Sequence, residues 1–144
     1  DRLTFLVLRI IKSNLRDNSS TRAINLSNSK LLDYWNVIYN LESIADETRK
    51  LAIALKEVIF NKSVFREILK LYGELVKAYT GTLDAYHRND SEMAYKLSSI
   101  KHDVVASCAK LYERHWSKRG AVVALERIRN IGFLGHNLGR RTYS

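Results

Sequence analysis

Two acids stand four residues apart in Leu41-Glu42-Ser43-Ile44-Ala45-Asp46, and the pattern returns as Leu125-Glu126-Arg127-Ile128-Arg129-Asn130. One helical turn separates Glu42 from Asp46, so the two carboxylates repel unless a cation lies between or beside them. Arg49 and Lys50 stand three and four residues beyond Asp46, and Arg129 three beyond Glu126. Each is spaced to form a solvated ion pair on its own helix, worth about 0.2–0.5 kcal/mol. A count round the helix sets Glu42 at the edge of the apolar stripe and turns Asp46 toward solvent. Asn130 replaces the acid in the second copy, and a neutral amide holds a cation less well than a carboxylate.

The other residues able to do chemistry are scattered. His87, His102, His115 and His136 share no regular spacing, and no Glu is followed three residues later by His. The Glu-x-x-His pairs that line di-metal oxidase bundles are therefore missing. No Ser-His-Asp order, phosphate-binding glycine loop or P-loop is present. Cys108 is the single cysteine, which excludes an intrachain disulfide and a multi-cysteine metal site. It lies on the apolar stripe of its segment and reads as a small core residue. The expectation is a protein that is not an enzyme.

The elements that would carry these residues are helices. The chain has no proline and only six glycines in 144 residues, with 46% apolar and 27% charged residues. That composition suits one all-α antiparallel bundle of about five helices. From Arg2 to Arg16, Leu3, Leu6/Val7, Ile10, Ile11 and Leu15 recur at helical spacing. Asp17 to Ser29 is rich in Ser and Asn and predicts a loop, with Ser27, Asn28 or Ser29 capping the next helix and Leu26 stapling its start. Lys30 to Phe60 is the longest helical pattern, its stripe read as Leu31, Tyr34/Trp35, Ile38, Leu41, Ala45, Thr48, Ala52, Leu55 and Ile59. A third helix follows the break at Phe60–Ser63, with Val64, Ile68, Tyr72, Leu75/Val76, Tyr79 and Leu83 inward and Gly73 and Gly81 permitting close contact. His87–Asp90 is a turn in which Asn89 and Glu92 resemble a capping box. A fourth helix carries Met93, Leu97, Ile100, Val104, Cys108, Leu111 and His115 and ends at Lys118-Arg119-Gly120. The fifth holds Val122, Leu125, Ile128 and Ile131, with small residues at Gly132, Gly135 and Gly139.

The charge is +9, from 24 basic and 15 acidic residues. The excess is heaviest from Lys110 onward, where Lys110, Arg114, Lys118, Arg119, Arg127, Arg129, Arg140 and Arg141 face only Glu113 and Glu126. A basic face favours nucleic acid, anionic lipid or an acidic partner, or it simply keeps the protein soluble. Trp116 and Phe133 are the aromatic residues there read as able to stack on bases. No apolar run approaches the ~18 residues that span a bilayer, and no signal-peptide pattern opens the sequence. The expectation is a cytoplasmic protein. Asp1 opens the chain already in helical register, as a piece of a longer polypeptide would.

The two L-E-x-I-x-[D/N] copies, each following a helix and a loop, read as an internal duplication. Here the sequence resembles the phosphate-uptake-regulator (PhoU) family, and within it the archaeal branch. That family is built from two tandem three-helix repeats, each with an E-x-x-x-D motif. Glu42 and Asp46 match the motif fully; Glu126 and Asn130 match it with Asn in place of Asp. The resemblance implies that residues 1–60 are the last two helices of a first repeat and 61–144 a complete second repeat, the first helix of repeat one being missing. It implies metal ligands at Glu42 and Asp46, with Glu126 and Asn130 as a poorer second set. Hard oxygen ligands suit Mg, Ca, Mn or Fe, so the cofactor expected is a divalent metal or iron. It also implies a non-enzymatic adaptor that regulates phosphate uptake and phosphate-dependent signalling. Its partners would be a phosphate ABC transporter or a signalling protein, with nucleic acid reached through a separate upstream domain. A two-helix remnant leaves apolar surface uncovered, and a dimer or a borrowed helix would cover it. The competing expectation is a basic helical nucleic-acid-binding or transcription-regulator domain.

Overall fold

Residues 2–16, 27–59 and 61–143 are described by a computed structural model. Side chains at 15, 98 and 141–143 are excepted. The expected loop from Asp17 onward and the staple at Leu26 fall largely outside the described residues, as do Phe60 and the side chains of Leu15 and Arg141. Five helices account for the rest: α1 Arg2–Arg16, α2 Asn28–Val58, α3 Lys62–Arg88, α4 Ser91–His115 and α5 Arg119–Tyr143. Among the described residues there is no strand, and no helix is long and apolar enough to cross a membrane.

Helix ends follow from short polar side chains that satisfy orphan amides. Ser27 Oγ accepts from the Lys30 amide at 3.3 Å, and its carbonyl accepts from Leu31. Asn61 Oδ1 accepts from Val64, and Asp90 Oδ1 from Met93. The turn after α3 differs from the expected capping box. Asn89 takes the left-handed conformation, φ 53° and ψ 36°, and closes α3, while Asp90 opens α4. Asn tolerates that backbone better than most side chains, so it ends one helix and leaves the capping carboxylate to its neighbour.

The chain divides by packing into Asp1–Glu42 and Ser43–Ser144, a boundary inside α2. In the larger unit, four helical segments surround one core. Ile44, Leu51, Ala54 and Val58 come from α2, Val64, Ile68, Leu71 and Leu75 from α3, Val104 and Cys108 from α4, and Ala121, Ala124, Leu125, Ile128 and Ile131 from α5. Helix α2 runs antiparallel to α5. Glu47 meets Asn130, and ten residues on, a Cβ at Gly120 would lie 2.7 Å from Cβ of Glu57 and 3.1 Å from Val58. Only glycine permits that approach, so Gly120 belongs to the start of α5 and locks it against the end of α2. Gly73, by contrast, has open space where a Cβ would stand, so it is not a contact point.

The buried stripe of α2 is displaced by one residue from the sequence reading. Leu31, Val37, Asn40, Ile44, Glu47, Leu51, Ala54 and Val58 face inward, whereas Ala45, Ala52 and Ile59 are exposed. Two polar residues interrupt the true stripe, which makes it look less apolar than its neighbour. The same drift moves the inner line of α3 from Tyr72 and Tyr79 to Leu71, Ala78 and Thr82. In α4 the expected Val104, Cys108 and His115 are buried.

In the smaller unit, α1 and the first part of α2 bury Ile11, Asn14, Leu31 and Val37. The Thr4 hydroxyl donates to a Glu42 carboxylate oxygen. Trp35 and Tyr39 stack, with ring centroids 5.7 Å apart.

Candidate functional site

The polar centre of the larger unit is Glu47, on the buried stripe of α2 three residues after Ile44 and four before Leu51. It is only 9% exposed, and a lone carboxylate so placed would be costly to ionise. Three donors meet it. Lys50 Nζ donates to Oε1 at 2.7 Å, while Arg127 Nη1 at 3.3 Å and Asn130 Nδ2 at 3.1 Å donate to Oε2. Burial opposes ionisation of Glu47, but hydrogen bonds from Lys50, Asn130 and Arg127 outweigh it and hold the carboxyl below its ordinary range. The network joins α2 to α5 at the floor of an open cleft of about 380 Å³ lined by Ser43, Asp46, Glu47, Lys50, Asn130, Phe133 and Leu134.

This arrangement explains the Asn of the second motif copy. Asn130 supplies an N–H to a buried carboxylate, which an aspartate could not do. The first-copy acids have other surroundings. Glu42, half-buried, accepts from Thr4 in the smaller unit. Asp46 is exposed and stands 4.0 Å from Arg49, a loose ion pair of the spacing expected. Glu126 is exposed and borders a groove between α4 and α5, together with Glu113, Arg129 and Val122. Glu126 and Asn130 thus line different depressions on the two sides of α5. Among the described residues no three of His, Cys, Asp and Glu are gathered to hold a metal ion.

Sequence reasoning missed Glu47 and Arg127. The available signal was the run Val37, Ile44, Leu51, Val58, seven residues apart, with Glu47 midway between two of its members.

A second polar cluster ties α3 to α4. Glu67 Oε2 accepts from Arg114 Nη1 at 2.8 Å, and Ser63 Oγ stands 3.4 Å from Oε1. His115, 8% exposed, brings Nε2 to 3.7 Å from the same carboxylate, too far for a hydrogen bond. Cys108, facing the groove between α4 and α5, lies 3.6 Å from the Leu125 carbonyl, and burial pushes its thiol up to about 11. Such a thiol is neutral and a poor nucleophile at physiological pH. Around Glu47 the charges are mutually satisfied. The arrangement orients two helices and leaves Asp46, Glu126 and the basic side chains Arg114 and Arg129 on the surface.

Compared with known protein families, with curated proteins and with solved structures, the chain matches none.

Proposed function

We propose that the protein is a helical adaptor that regulates phosphate uptake and phosphate-dependent signalling, working by docking and transforming no substrate. The observation that supports this reading concerns the two motif copies. Each buries its isoleucine, Ile44 at 6% and Ile128 at 0% exposure, in the same core from antiparallel helices. Each leaves an acid, Asp46 or Glu126, on the outside. Two similar stretches that anchor one core through equivalent isoleucines suit a duplicated helical unit whose outer faces meet other proteins. The expected partner is the cytoplasmic side of a phosphate ABC transporter, or a signalling protein that reports on it. The part of the reading that concerns a metal rests on the motif alone.

The test is removal of the gene in its native host, followed by phosphate uptake in phosphate-rich medium. Uptake that no longer falls when phosphate is plentiful, restored by the wild-type chain, supports the adaptor. Unchanged uptake overturns it. The net charge of +9 favours a second reading, a basic nucleic-acid-binding domain. That reading requires DNA or RNA binding that persists near 150 mM salt and falls steeply above it.

A further inference from the structure

Helix α1 carries Arg2, Arg9, Lys12 and Arg16 and no acid between Arg2 and Arg16. Its inward side is Thr4, Val7, Leu8, Ile11 and Asn14. Outside that side lie two strips, one opposite it along the whole helix and one on its flank along the first half. One is Arg2, Arg9 and Arg16, each seven residues from the next and so stacked about two turns apart. The other begins with Leu3 and Leu6, 61% and 53% exposed, and continues to the half-buried Ile10. Phe5 flanks the arginines at 63% exposure. Arg9, Lys12, Ser13 and Arg16 border a shallow recess of about 370 Å³. Among the described residues none of Arg2, Arg9, Lys12 and Arg16 takes part in an ion pair.

We propose that this face of α1 docks on the surface of an anionic lipid bilayer. The charge demands an anionic occupant, and the apolar strip decides which one. A nucleic-acid backbone would engage the arginines and leave Leu3, Phe5 and Leu6 in water. A neutral apolar groove would cover the leucines and leave unpaired guanidiniums beside it. A bilayer with anionic headgroups satisfies both strips at once. Leu3, Phe5 and Leu6 sink to the boundary between headgroups and acyl chains, and the arginine stems bend so that each guanidinium stays at the phosphate level. A helix lying in the interface in this way needs no spanning length. The proposal is independent of the phosphate-uptake reading, and its test uses no phosphate-dependent signal.

The experiment is co-sedimentation of the full chain with large vesicles of phosphatidylcholine, with and without phosphatidylglycerol. Binding is expected only where phosphatidylglycerol is present, and it should weaken as salt rises. The triple variant Arg9→Gln, Lys12→Gln, Arg16→Gln should bind roughly a hundredfold more weakly, about fivefold for each cation removed. The double variant Phe5→Ser, Leu6→Ser should lose at least about tenfold while keeping every charge. All six side chains involved in the test and its control are on the solvent side, so helical content by circular dichroism should be unchanged, with Ser13→Ala as the control. No vesicle binding, or equal binding to neutral vesicles, overturns the proposal. So does unchanged anionic binding by the Phe5→Ser, Leu6→Ser variant, because a purely electrostatic contact suits nucleic acid or an acidic protein equally well.

Discussion

Residues 43–144 and residues 1–42 are built from the same material, amphipathic helices, and they solve the problem of burial differently. In the larger unit four helical segments close on one another, and the deeply placed carboxylate of Glu47 receives three hydrogen bonds. Among the described residues of the smaller unit, two segments enclose Ile11, Leu31 and Val37 as buried apolar side chains. Among the described residues the side-chain amide of Asn14, at 0% exposure, finds no hydrogen-bond partner for either its oxygen or its nitrogen. Leu3, Phe5 and Leu6 stay in solvent. Two helices have one shared interface and cannot cover both faces of either, whereas four can surround a common axis. Among the described residues, the buried apolar side chains are therefore concentrated after residue 42.

The contrast can be broken most directly in the two cores. Ile128→Ala, at a site of 0% exposure, should cost about 2–5 kcal/mol in urea unfolding. Ile11→Ala should cost less than half as much, because Ile11 lies outside the large core cluster; equal losses would erase the distinction between the units. Cys108 offers a comparable effect in rate. With its thiol pushed up to about 11, alkylation at pH 8 should run roughly a hundredfold slower in the folded chain than in urea. Fast alkylation of the native protein would show that the larger unit opens readily.

Asn130→Asp sharpens the comparison at the polar centre. It restores the motif in the second copy but sets a carboxylate against Glu47, and about 2–3 kcal/mol of stability should be lost at pH 7. The loss should shrink in acid, as the crowded pair takes up a proton. An unchanged or raised stability would mean that a cation joins the two carboxylates.

Glu47→Gln should cost about 1–2 kcal/mol. The sign of its pH effect follows from the lowered folded value. Stabilisation by Glu47 is complete above its ordinary 4.5 and disappears as pH falls through the lower folded value, so the variant should show a flatter acid limb. Identical acid limbs would show that the network does not hold Glu47 ionised. The smallest change is expected in the smaller unit. Asn14→Leu removes an unpaired buried amide and should stabilise α1 by about 1 kcal/mol, read as slower amide exchange along Arg2–Arg16.

How much of this was legible in the chain depended on whether the signal was local. In α4, Val104, Cys108 and His115 lie where the spacing put them, since nothing polar breaks the stripe between Leu97 and Leu111. In α2 the stripe was read one residue late, because Asn40 and Glu47 sit on the true inner line and mask it. Capping of α2 by Ser27 was within reach of a local rule. The exchange of roles between Asn89 and Asp90 was not, because it turns on one left-handed backbone conformation. The site was harder still. Glu126 and Asn130 look like equivalent members of a pair along the sequence, yet one borders the groove beside α4 and the other serves Glu47 on α2.

Taken alone, the chain determined that it is helical and, closely, where each helix stops. Hydrogen bonds within a helix link residues four apart, and caps act over three, so both are settled by neighbours in sequence. Tertiary structure decided which polar side chains go inside. Glu47 and Asn130 are 83 residues apart, and their meeting depends on the register of α2 against α5, set by the packing of Ile44, Leu51, Leu125 and Ile128 and by the close approach at Gly120. A buried carboxylate is tolerable only once its donors have been brought to it, and no periodicity along one helix contains that condition.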